Sequence, residues 1–273
     1  MAMKNILKLV LIAQLILVGC GSSSLEKESN LKKADLHYAH GTDALVNKDY
    51  TTALDHLIKA NNLKPNQSNI LNNLGMAFYF KKEMPRALKY LLLALKNGPK
   101  NSDARTNLAS LYLEINQLDK AEEHYRIVLK DLVYKHQYRV HYNLSIVEKK
   151  RGNYDKSIVQ LKKAIEIKDD YCPANFKMGN LAFRRYDYQS ALKYYRDATK
   201  GSCYSLAEPH LRQAESMIQL KKYTEARLKL TDVKNQFKGT RYDTLAKVKL
   251  NDLDNLEKQE FYSNQNNNNF YNK

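Results

Sequence analysis

The chain has 273 residues, of which 43% are hydrophobic and 27% charged, with nine Gly, five Pro and no Trp. So few turn formers argue against an all-β fold, and so much apolar content argues against a chain disordered throughout. The formal net charge is +16, but the lysines are spread along the chain with no dense run, which reads as a solvated basic surface, the alternative being contact with anionic lipid or acidic protein faces. With no stacked aromatic-basic module, no nucleic-acid partner is expected.

Residues 1–8 carry Lys4 and Lys8, and residues 9–18 are apolar except for Gln14. That stretch is too short to span a bilayer and reads as the hydrophobic region of a signal peptide over residues 1–19. Leu17-Val18-Gly19-Cys20 resembles the bacterial lipobox. The resemblance implies cleavage before Cys20 and acylation of both its thiol and its new amine. Several acyl chains on one Cys hold a protein to a membrane where a single chain binds marginally. The alternative is an ordinary signal peptide with a chance Cys. Without Lys4 and Lys8 the formal charge would be +14. Gly21, where an Asp would retain the protein at the inner membrane by enterobacterial sorting rules, implies transfer to the outer membrane. Residues 20–33 are polar and are expected to be a flexible tether.

A repeat then takes over. The strongest unit, residues 68–101, places Leu71, Leu74, Gly75, Phe78, Ala87, Leu91, Ala94 and Pro99 at unit positions 4, 7, 8, 11, 20, 24, 27 and 32. This pattern resembles the tetratricopeptide repeat (TPR), lacking only its usual Trp. Small residues at positions 8 and 20 let helices A and B cross closely, and larger ones at 11 and 24 fill the groove beside them. The same frame reads Gly41, Ala53 and Leu57 in residues 34–67, and Ala109, Ala121 and Tyr125 in residues 102–135. After a two-residue slip at His136 and Gln137 it reads Ser145, Ser157 and Leu161 in 138–171, Gly179, Ala191 and Tyr195 in 172–206, and Ala214, Ala226 and Leu230 in 207–240. The expected fold is all-α: a right-handed superhelical α-solenoid of six helix pairs over residues 34–258, closed by a capping helix at 241–258. Residues 259–273, with Asn266 to Asn269, are expected to be a disordered tail.

No catalytic set emerges, so no enzyme, cofactor or metal is expected. There is no glycine-rich phosphate loop, no His-Glu-x-x-His and no Cys-x-x-Cys. His37 and His40 could share a helix face, but two His without a third ligand make a poor metal site. They read as core or edge residues, and His136 and His141 as surface residues. Cys172 and Cys203 fall at positions 1 and 32 of the fifth unit. Because A and B are antiparallel, these positions come close enough for a disulfide, the alternative being two free thiols.

Helix A of each unit should line the concave, binding face. Position 6 reads Asn73, Asn107 and Asn143 in successive units, a ladder of amides able to donate to and accept from an extended peptide. Asn72, Met76, Tyr79, Tyr142, Phe176 and Phe183 lie beside it as anchors. The alternative is that the asparagines pack neighbouring helices.

Signal, lipobox, tether and six repeats together resemble the type IV pilus biogenesis lipoproteins of the PilF/PilW type, the pilotins of the outer-membrane secretin. Leu118-Asp119-Lys120-Ala121-Glu122-Glu123-His124-Tyr125 is similar to that family's third-repeat helix B, and the long junction before Tyr142-Asn143-Leu144 also fits. The resemblance implies a protein-binding lipoprotein on the periplasmic face of the outer membrane of a Gram-negative bacterium, with a secretin subunit as partner. The alternative is another envelope TPR scaffold, serving β-barrel assembly or a peptidoglycan enzyme.

Overall fold

A computed structural model describes residues 26–200 and 203–271. Among these residues there are thirteen α-helices and no strand. None of the helices is long and apolar enough to cross a membrane. The chain divides into two compact units, one ending at Tyr134 and the other beginning at Lys135. The first holds three helix pairs: α1 (residues 26–46) with α2 (Tyr50–Leu63), α3 (Ser68–Phe80) with α4 (Met84–Asn97), and α5 (Ser102–Glu114) with α6 (Leu118–Val128). The second holds α7 (Gln137–Lys150) with α8 (Tyr154–Ile167), α9 (Cys172–Arg184) with α10 (Tyr188–Ala198), and α11 (Ala207–Gln219) with α12 (Tyr223–Gln236). It closes with α13 (Arg241–Tyr271). Six pairs and a terminal helix match the expected fold class.

The core is built from the repeat positions. Leu57, Leu91, Tyr125, Leu161, Tyr195 and Leu230, all at position 24, are buried, as are Ala53, Ala87, Ala121, Ser157, Ala191 and Ala226 at position 20. Burying each large side chain stabilises by about 1.5–3 kcal/mol, and the small residues set how closely the helices approach. A Cβ added to Gly75 would lie 2.7 Å from Leu91 Cγ, and one added to Gly179 would lie 2.7 Å from Tyr195 Cδ1. At these crossings hydrogen is the only side chain that fits.

The A-to-B turns share one device that the sequence shows once. Position 15 has positive φ in all six pairs: Lys48, Lys82, Asn116, Gly152, Tyr186 and Lys221. The next residue's N–H then reaches a carbonyl five residues earlier, as in Glu83 to Phe78 at 2.9 Å and Gln117 to Tyr112 at 2.8 Å. Such a left-handed residue terminates a helix by satisfying its last carbonyls. Gly152 takes the conformation without strain, whereas the five L-residues hold it against a steric cost of about 1–2 kcal/mol each.

Three boundaries depart from expectation. Residues 26–33 are helical as part of α1, not a tether, while residues 20–25 and Cys20 lie outside the described residues. The slip between the third and fourth units is a turn-rich stretch at 129–136, in which Leu132 and Val133 are exposed. The last helix does not stop at 258; α13 runs 31 residues to Tyr271. No Gly or Pro interrupts it. Ala246 and Leu253 bury one face of α13 against Leu230 and Val233. Beyond 258, Glu260 accepts from Lys221 Nζ at 2.7 Å and from Tyr223 Oη at 2.9 Å.

In the fifth pair Cys172 and Cys203 are joined by a disulfide, with Cα atoms 6.0 Å apart. It ties the start of α9 to the loop after α10, which His210 Nε2 also contacts at the Tyr204 carbonyl, 2.8 Å away.

Two outcomes follow from this packing. Gly75→Val is expected to destabilise the protein by about 1–3 kcal/mol in urea unfolding, with part of the loss recovered when combined with Leu91→Ala. Alkylation without reductant should label neither Cys172 nor Cys203, and Cys172→Ser with Cys203→Ser should cost about 2–4 kcal/mol, measured against the wild type under oxidising conditions.

Candidate peptide-binding face

The A helices of the first unit carry a connected line of polar side chains. Asn107 Nδ2 on α5 donates to Asn72 Oδ1 on α3 at 2.8 Å. Asn72 Nδ2 donates to Asn73 Oδ1 at 3.1 Å, and Asn73 Nδ2 donates to Thr42 Oγ1 on α1 at 2.9 Å. Thr42 Oγ1 ends the line on the Tyr38 carbonyl at 2.8 Å. The amides of Asn73 and Asn107 are therefore not separate rungs. Asn72, expected beside them at the surface, is buried and links them. These residues pack neighbouring helices against one another, while Asn73 and Asn107 stay half-buried.

Aromatic and thioether groups flank this line. Met76 and Tyr79 are half-buried. The Tyr79 ring meets Phe80 edge-on with centroids 5.3 Å apart, and Phe80 in turn stacks on Tyr50 at 4.9 Å. Burial, with a smaller contribution from Glu114, raises the Tyr79 hydroxyl above the ordinary phenol range. It therefore stays protonated at neutral pH and available as a donor.

The second unit carries its own aromatic set. Tyr142 and Tyr138 both meet Tyr171 edge-on, at 5.6 and 4.8 Å, and Lys168 Nζ sits 5.3 Å from the Tyr138 ring centre. Burial, opposed by Arg139, pushes Tyr171 up to about 12, and burial raises Tyr142. Phe176 packs against Tyr195 at 5.8 Å and Phe183 against Tyr188 at 5.2 Å. Asn143, Phe176 and Phe183 are half-buried. His136 is exposed as expected, but His141 is half-buried and bonded to Gln160 at 2.7 Å.

Some contributors were not singled out beforehand. Asn180 accepts from Tyr195 Oη at 2.7 Å, and Ser110 pairs with Tyr125 Oη at 2.9 Å. Both lie at position 9, opposite a Tyr at position 24, so a Tyr there is a signal for a polar partner on helix A. Asn175 is fully buried, donates to the Asp169 carbonyl at 2.6 Å, and has an Oδ1 without a partner.

A face of amides, phenols and aromatic edges on paired helices is that of a protein-binding module. Three tetratricopeptide-repeat models match residues 38–102, 90–123 and 138–171. Over these residues the chain carries tetratricopeptide repeats.

Its fold is similar to that of PilF from Pseudomonas aeruginosa, with a TM-score of 0.64 and 17% identity over 81% of this chain and 99% of that one. It is also similar to PilW, described as a widely conserved type IV pilus biogenesis factor, with a TM-score of 0.61 and 16% identity over 77% of this chain and 96% of that one. A tetratricopeptide repeat protein from Parabacteroides merdae follows at 0.52, with 18% identity over 80% and 86% of the two chains. At such identities the likeness is one of fold. Among curated proteins, the CTR9 homolog of Arabidopsis thaliana is 26% identical over 152 residues, 54% of this chain but 14% of that protein.

The buried link should matter more than its end. Asn72→Ala leaves donors and acceptors on both sides unpaired and is expected to cost about 1–3 kcal/mol, whereas Asn107→Ala should cost about 0.5–1.5 kcal/mol. Urea unfolding of the two variants checks the order.

Proposed function

We propose that the protein is a lipid-anchored scaffold on the periplasmic face of the outer membrane that binds secretin subunits of a type IV pilus and supports their assembly. The observation that carries this reading is the near-complete cover of PilF and PilW, 99% and 96% of their lengths, by a chain that also bears the Leu17-Val18-Gly19-Cys20 lipobox. The division of labour is physical. An acylated Cys20 supplies membrane affinity, and the helix-A faces supply contacts to a client segment. Holding both on one chain raises the client's effective concentration at the membrane. The role requires binding and positioning but no chemistry, in keeping with a fold that typically serves protein recognition.

Deleting the gene should reduce detergent-resistant secretin multimers and abolish pilus-dependent motility. Cys20→Ala should move the protein from the membrane to the soluble periplasmic fraction and leave secretin out of the outer membrane. Both are read by fractionation and immunoblotting. Normal multimers and motility, with impaired barrel assembly or peptidoglycan maturation, would instead assign the scaffold to one of those systems.

A further inference from the structure

The first helix pair differs from the others in what it places where the helices meet. Unit positions 4 and 7 of helix A hold buried Leu71 and Leu74 in the second pair. In the first pair the same positions hold His37 and His40 on α1, one turn apart. Position 23 of helix B, which also meets position 4 in the third and fourth pairs, holds His56 on α2.

The three rings come together. His37 Nδ1 lies 3.0 Å from His56 Nδ1, with ring centroids 5.2 Å apart. The His40 ring lies 5.3 Å from that of His56. Later pairs use the same two positions for one polar contact, Arg105 to His124 at 3.4 Å and His141 to Gln160 at 2.7 Å. Among the described residues, the first pair alone puts two imidazoles there and adds a third.

The spacing fits a metal ion. Two imidazole nitrogens on one tetrahedral zinc, each about 2.0–2.1 Å from it, stand roughly 3.3–3.4 Å apart. His37 and His56 already hold their nitrogens within a few tenths of an ångström of that edge. No three ligating side chains among the described residues yet surround one point, so the third ligand must swing in. His40 is exposed and can turn on its own χ angles. The Asp55 carboxylate, bonded to Lys59 at 2.7 Å, adds negative charge near His56 and His37. Neutral imidazoles suit late divalent transition metals and not hard cations such as Mg²⁺ or Ca²⁺.

We propose that His37, His40 and His56 form a binding site for a divalent transition-metal ion of the zinc type, with water completing the tetrahedron. The ion would clasp α1 to α2 in the first pair, which among the described residues has a repeat neighbour on one side only. This site does not depend on the pilus reading.

The test uses full-length protein in detergent, stripped with chelator and titrated calorimetrically with ZnCl₂ and, in parallel, MgCl₂. One equivalent of zinc should bind, magnesium should not, and zinc should raise the melting temperature. His37→Ala, His40→Ala and His56→Ala should each weaken zinc binding at least about tenfold. His136→Ala, at an exposed histidine elsewhere, should leave it unchanged. Circular dichroism confirms that each variant folds, and His56→Gln, which preserves a polar side chain at the crossing, is the second variant should His56→Ala unfold. The proposal is overturned if no saturable binding occurs at micromolar zinc, or if any of the three substitutions retains wild-type affinity in a folded protein.

Discussion

Every pair in this protein is organised around one steric contact: a small residue at position 8 of helix A pressed against a large one at position 24 of helix B. Leu91 over Gly75 and Tyr195 over Gly179 show how little room there is. The contact fixes the distance between helices. That distance places positions 4 and 23 within hydrogen-bonding reach, and so brings His37 to His56 and His141 to Gln160. The polar and aromatic residues can vary from pair to pair because the crossing beneath them does not.

The pairs themselves were legible because their spacing is a packing rule. Small and large residues recur at positions 8, 20 and 24 in all six units, and the structure buries them. The slip at His136 and Gln137 coincides with the start of the second compact unit. Features that depend on backbone conformation or on partners distant in sequence were not legible. The left-handed turn residue is Gly only at Gly152; elsewhere Lys, Asn or Tyr adopts it, and composition gives no hint. The continuation of α13 was hidden because an Asn-rich run reads as disorder, whereas Glu260 reaches back to Lys221 and Tyr223. The asparagines of the helix-A face were visible as a pattern, but only coordinates reveal that Asn72 ties Asn73 to Asn107.

The charge of the chain is handled by the same division between scaffold and face. Its ion pairs lie mainly at the surface, many of them between residues three or four apart on one helix, such as Lys59 with Asp55 and Arg126 with Glu122. Such pairs contribute little to stability. The interior depends on apolar contacts and amide or hydroxyl hydrogen bonds, so the basic surface can be shaped by what the protein meets without disturbing the fold.

The line from Asn107 to Tyr38 has a direction. Each member donates towards α1 and accepts from the side of α5, and the last bond ends on a backbone carbonyl. Aligned bonds polarise one another, each making its neighbour a better donor or acceptor. A group that donates a proton to Asn107 Oδ1 would therefore enter at the head of the line and strengthen every bond below it. Each side-chain amide carries two N–H donors and spends one of them on the line. The line thus couples α5, α3 and α1, so a change at its head is felt at its foot on the Tyr38 carbonyl.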